Sequence, residues 1–147
     1  MTSLPHVFLC VEVDFSGKIV KGISSEGLPP KWFTKNPDTT FEEDLPDMIA
    51  VLSAALDFSK KIRADTIFEF WVELYEVQER WAKEENIPPL LAHLGSSLVE
   101  RALIDAFCRA SNKSFHEVLR ANDLGVNLGY FYDELKGGQP ADWLPDK

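Results

Sequence analysis

The sequence predicts an α+β fold, with an N-terminal β-hairpin followed by a bundle of three to four helices. Two observations carry that prediction. Residues 7–25 alternate apolar and polar side chains with a period of two around a Ser16-Gly17 turn. Behind them, Ser or Thr stands three residues before Glu at Thr40/Glu43, Ser97/Glu100 and Ser114/Glu117, and apolar residues then recur at helical spacing.

In the hairpin, Leu9, Val11, Val13 and Phe15 fall on one face, and Glu12 and Asp14 on the other. Gly17 takes a turn conformation at little steric cost, and Lys18 to Ser25 returns with Ile19 and Ile23 in step. An isolated hairpin is marginal in water, so this one must pack on something. Residues 26–40 differ in kind. Gly27, Pro29, Pro30 and Pro37 exclude a regular helix, yet Trp32 and Phe33 sit mid-segment and must dock on the chain's own core or on a partner.

The first helix opens at the Thr40 capping box and buries Leu45, Met48, Ile49, Leu52, Ala55 and Leu56, with Pro46 in or just beyond its first turn. Asp65 or Thr66 caps the second, whose broad stripe is Ile67, Phe70, Trp71, Leu74, Tyr75, Gln78 and Trp81. That breadth suits burial on two sides, for example against the hairpin. Asn86 to Pro89 ends it. The third helix is expected from about Ser97 to Ala110, with Ala102 and Ala106 small enough for a neighbouring helix to approach. Ser114 starts a short fourth helix to about Ala121. Gly125, Gly129, Gly137, Gly138, Pro140 and Pro145 break up the tail, leaving one helical turn at Tyr130 to Leu135.

Bulk properties narrow the function. The 147 residues suit one domain with a sizeable core. A net charge of −9 disfavours nucleic acid and anionic membrane as partners, because both need clustered Lys and Arg. The start has no basic n-region, the apolar run from Val7 to Val11 is too short to span a bilayer, and a cytoplasmic location is the default. Cys10 and Cys108, far apart in apolar stretches, read as buried thiols.

No constellation carries chemistry. His6, His93 and His116 are scattered and read as surface or helix-end residues. Glu69, Glu73 and Glu76 share a helical spacing, but no partner Glu-x-x-His motif exists for a di-metal site. Glu76 with Arg80 and Glu79 with Lys83 are i,i+4 pairs on a solvated face.

The order of hairpin, Gly-Pro loop and helices, together with Gly95-Ser96-Ser97-Leu98-Val99-Glu100-Arg101-Ala102-Leu103-Ile104-Asp105-Ala106, resembles the N-terminal capping domain of the enolase superfamily, in its mandelate racemase and muconate-lactonizing branch. Asn112-Lys113-Ser114-Phe115 and Gly22-Ile23-Ser24-Ser25-Glu26-Gly27 add to the likeness. On that resemblance residues 1–139 are the capping domain and 140–147 the start of a linker to a (β/α) barrel. The hairpin is then the remnant of a three-stranded meander whose first strand is missing. The likeness implies that Glu100 and Asp105 are structural and that the chain alone is not an enzyme. It implies no catalytic residue, metal or cofactor in this chain. In a full-length relative, Mg²⁺ held by barrel carboxylates would assist abstraction of a proton α to a carboxylate. The partner it implies is a barrel in cis or trans, with self-association a further option. Residues 26–36 would contribute to substrate selection, with Lys31 pairing a substrate carboxylate and Trp32 and Phe33 walling the pocket. A different class of function, a small stand-alone helical protein-interaction module, fits the same exposed aromatics.

Overall fold

A computed structural model describes residues 3–146. The α+β architecture is as the periodicity predicts, a two-stranded antiparallel hairpin packed on a helical bundle. Strands β1 (His6–Phe15) and β2 (Lys18–Gly27) pair with Phe15 opposite Lys18. Ser16 at φ 54° and Gly17 at φ 89° make the two-residue turn, both in the left-handed conformation that matches the twist of the strands.

Among the described residues five α-helices follow: α1 (Pro30–Phe33), α2 (Phe41–Ser59), α3 (Ile67–Glu84), α4 (Pro89–Ser111) and α5 (Phe115–Arg120). Capping boxes open α2 at Thr40, α3 at Thr66 and α5 at Ser114, each with the hydroxyl accepting from the Glu amide and the Glu carboxylate accepting from the cap amide. Asn86 (φ 57°) and Asn112 (φ 55°) lie in the left-handed region where α3 and α4 stop. The tail holds three 3₁₀ turns, Leu128–Tyr130, Asp133–Leu135 and Pro140–Asp142, in place of one helical turn.

Several sequence expectations need correcting. Ser97 caps nothing: α4 begins eight residues earlier at Pro89, with proline at its first position, and Ser97 lies inside it. The early start lets Leu91, Leu94 and Leu98 join the core, and Gly95 admits α2 because a Cβ there would strike the Val51 carbonyl. Pro30, with no amide to leave unpaired, opens the single-turn helix α1 inside the segment expected to be free of helix. The small residues Ala102 and Ala106 admit β2, not a helix. Finally, Ile19 and Ile23 are in step but point outward, 61% and 51% exposed, while Gly22 and Ser24 form the inner face.

The core is one cluster of Leu9, Leu28, Met48, Val51, Leu52, Leu74, Leu91, Leu98, Val99 and their neighbours, joined to a smaller one around Ile67, Leu103, Val118 and Leu124. Helix α3 packs mainly on α4 and α2, so its broad stripe is not buried mainly by the hairpin. Gln78 lies wholly inside, its amide nitrogen donating to the carbonyls of Val51 at 2.9 Å and Ala92 at 3.1 Å, so that one side chain ties three helices together. Among the described residues no helix is long and apolar enough to cross a membrane.

Candidate functional site

The segment after the hairpin is anchored at both ends. Leu28 is buried and its amide donates to the Pro5 carbonyl at 2.9 Å, while Pro30, the first residue of α1, is buried. From that turn the three residues singled out in the sequence go three ways. Lys31 folds back over the start of α2, its ammonium 2.8 Å from the Asn36 carbonyl, 2.8 Å from Thr39 Oγ1 and 2.6 Å from Asp44 Oδ2. The first two are hydrogen bonds and the third is an ion pair. Phe33 is half-buried against the main core. Trp32 is 70% exposed.

Asp44 is the reason Lys31 turns inward. It is a buried carboxylate in the first turn of α2, where the unpaired amides and the helix dipole favour negative charge. The Lys31 ammonium, helped by the Thr39 hydroxyl, holds its carboxyl below the usual range. The pair has a structural duty, and the substrate-carboxylate role expected for Lys31 would require breaking it. Sequence reading overlooked Asp44 because its Lys partner lies thirteen residues away across a loop. What the site presents outward is therefore one indole, held by fixed neighbours and suited to receive an apolar, planar or cationic group.

The polar residues of α4 seam it to β2. Arg101 donates to the Ser25 carbonyl at 2.9 Å and to Glu26 Oε2 at 3.0 Å, and Asp105 Oδ2 accepts from the Ile23 amide at 2.9 Å and from Arg109 at 2.8 Å. Ser24 Oγ donates to the Leu98 carbonyl at 2.7 Å in the interior. Asp105 is thus a strand-edge partner. Glu100, on a half-buried face, has its carboxyl raised by desolvation.

Other candidates disperse. His6 starts β1 beside the Phe8 ring, and His116 lies in the first turn of α5. His93 is not at a helix end but within α4, stacked on Tyr75 at 3.7 Å, with burial lowering its pKa. Cys108 is half-buried with its thiol pushed up by desolvation, whereas Cys10, expected inside, is exposed on the outer face of β1 because it alternates with Leu9 and Val11. Both thiols are free. Glu76–Arg80 at 3.9 Å and Glu79–Lys83 at 3.2 Å are surface pairs. Among the described residues no three His, Cys, Asp or Glu side chains converge on a point that would hold an ion.

A second aromatic surface joins part of the α3 stripe to the tail run Tyr130-Phe131-Tyr132. Phe68 meets Tyr130 and Phe131, Phe131 meets Trp71, and Trp71 meets Tyr75, with ring centroids 5.3–5.9 Å apart. The tail therefore covers much of the outward stripe of α3, held there by the Phe68 amide donating to the Leu124 carbonyl at 3.0 Å. No protein-family model, curated protein or solved structure matches this chain significantly.

Proposed function

We propose that the chain is a non-catalytic capping domain of the enolase-superfamily kind, which lends substrate selectivity to a (β/α) barrel supplied in cis or in trans. The observation that carries the proposal is Trp32, exposed at 70% between a Lys31 and a Phe33 that are both tied into the fold. An indole held outward by a fixed backbone offers a large, rigid apolar contact to whatever docks on it. A specificity loop needs that arrangement, because an indole that is already positioned loses little entropy on binding. The barrel would supply the base and the Mg²⁺ for proton abstraction, and this chain would supply one wall of the pocket.

Co-expression with a barrel of the mandelate racemase and muconate-lactonizing group, stripped of its own cap, tests the proposal. We expect Mg²⁺-dependent exchange of a carboxylate's α-proton in D₂O to return with the chain, and Trp32→Ala to raise KM more than it lowers kcat. Failure of the chain to bind any such barrel would sink the proposal.

One observation favours the second reading, a stand-alone interaction module. The tail's own aromatics cover the α3 stripe, which makes the bundle self-contained on that side. A cooperative monomer that binds no hydrophobic dye and engages no barrel would establish it.

A further inference from the structure

The two edges of the hairpin are not alike. A two-residue turn makes Phe15 and Lys18 a hydrogen-bonded pair, so bonded pairs recur at Val13/Val20, Val11/Gly22 and Leu9/Ser24. The residues between them point their amides and carbonyls away from the partner strand. On β2 part of that outer row is taken up by α4, with Asp105 accepting from the Ile23 amide and Arg101 donating to the Ser25 carbonyl. On β1 the equivalent row is Phe8, Cys10, Glu12 and Asp14, and no main-chain or side-chain group among the described residues pairs with its backbone amides.

Beside that open row runs a groove of about 860 Å³, bordered on one side by residues 10–15 and on the other by the connection between α2 and α3, with Leu56, Ile62, Ile67 and Phe70 in its floor. A strand laid against β1 would complete its hydrogen bonds and drop every second side chain onto that floor. Its remaining side chains would stand on the outer face beside Asp14 and beside Glu12, which already pairs with Lys21 at 2.9 Å, so Asp14 is the carboxylate left to favour a basic side chain across the strand. The chain's net charge of −9 draws in a basic segment and repels an acidic one.

We propose that the free edge of β1 is a docking site for one extended segment of a partner protein, apolar at the residues facing the groove and basic at those facing solvent. A second copy of this chain fits poorly. Antiparallel pairing of β1 with β1 places both helical layers on the same side of the joint sheet, and the two α2–α3 connections would compete for one groove. The inference goes beyond the capping role and does not depend on it, because it concerns the hairpin edge and not the Trp32 loop.

The test uses the ¹⁵N-labelled full chain and an acetylated octapeptide alternating valine with lysine. We expect the peptide to slow hydrogen exchange of the Phe8, Cys10, Glu12 and Asp14 amides at least tenfold, while the Leu9, Val11 and Val13 amides, already bonded to β2, change little. Cys10→Pro removes one outward-pointing amide where an edge strand tolerates proline, and it should weaken peptide binding about tenfold with the far-UV spectrum preserved. A peptide of the same composition with valines and lysines in separate blocks should give no protection. Equal protection by the block peptide, or no protection by either, overturns the proposal. Protection that instead grows with chain concentration alone overturns it in favour of a second copy. Should Cys10→Pro unfold, the edge-specific protection pattern in the native chain decides by itself.

Discussion

Gly22 of β2 lies so close to α4 that a Cβ there would overlap the carbonyl oxygen of Ala102 and come within 2.6 Å of the Ala106 amide nitrogen. Both obstacles are helix backbone, which cannot rotate aside as a side chain can. Gly22→Ala should therefore lift the hairpin off α4 and cost on the order of 3 kcal/mol. Gly17, at φ 89° with nothing near its Cβ position, is a control for backbone strain alone. Gly17→Ala should cost about 1–2 kcal/mol. Urea unfolding of both variants checks the ranking, and equal losses would contradict it.

Asp44 and Lys31 hold the Trp32 loop, so Asp44→Asn should loosen it without unfolding α2. Trypsin should then cut after Lys31 and Lys35 at least several-fold faster, with the helical spectrum unchanged. The pH dependence has a definite sign. The folded carboxyl of Asp44 lies below its ordinary value, with Lys31 as the main cause, so the unfolded chain binds the proton more readily. The pair's contribution is complete above the ordinary carboxylate range near ~4 and is lost as pH falls through the lower folded value. The acid limb of the wild-type stability profile should be steeper than that of Asp44→Asn. Glu43 and Glu117, lowered by their caps, act in the same direction and remain in the variant.

Gln78 gives a prediction that runs against counting hydrogen bonds. Its Nε2 makes two, but both acceptors are helix carbonyls that also have an i+4 amide, and its buried Oε1 has no protein donor. Losing the two bonds costs about 1 kcal/mol each, and removing an unpartnered buried acceptor recovers about 1–3 kcal/mol. Gln78→Leu should stay within about 1 kcal/mol of wild type, whereas Gln78→Ala, which opens a cavity, should lose about 2–5 kcal/mol. Thermal and urea unfolding of the pair would distinguish a packing role from a polar one.

His93 should make the fold sensitive to mild acid. Burial against Tyr75 lowers its pKa, and Glu79 offsets only part of that effect, so the unfolded chain takes up the proton first. Stability should decline as pH falls below about 6.5, before the carboxylates titrate. His93→Phe keeps the stack and should flatten that portion of the profile, as measured by urea midpoints between pH 7.5 and 5.

Local chemistry was legible in the sequence wherever a few neighbouring residues settle the outcome. The Ser16-Gly17 turn and the caps at Thr40 and Ser114 depend on bonds spanning three residues, and each forms where the pattern places it. Ser97-Leu98-Val99-Glu100 shows the limit of such patterns. The same spacing lies inside α4, because Pro89 offers a better start and Leu91 and Leu94 have a core to enter.

The candidate site was half legible. Trp32 and Phe33 stood out as apolar residues in a loop, but only the folded chain separates a half-buried Phe33 from an exposed Trp32, and only Asp44 accounts for the direction of Lys31. The inner face of β2 was hidden for a related reason. Gly22 and Ser24 carry no hydrophobic signal, and their smallness has meaning only against Ala102, Ala106 and the Leu98 carbonyl.

Propensity, capping and periodicity act within one turn of helix or one pair of strands, and they suffice for the α+β class, the hairpin turn and the caps at Thr40 and Ser114. Which face of β2 is buried, where α4 begins, how the hairpin edges are used and that Trp32 rather than Phe33 faces water are set by the packed fold. Each of those depends on backbone-to-backbone distances and polar pairings between residues 13 to 82 positions apart, and no local pattern encodes them.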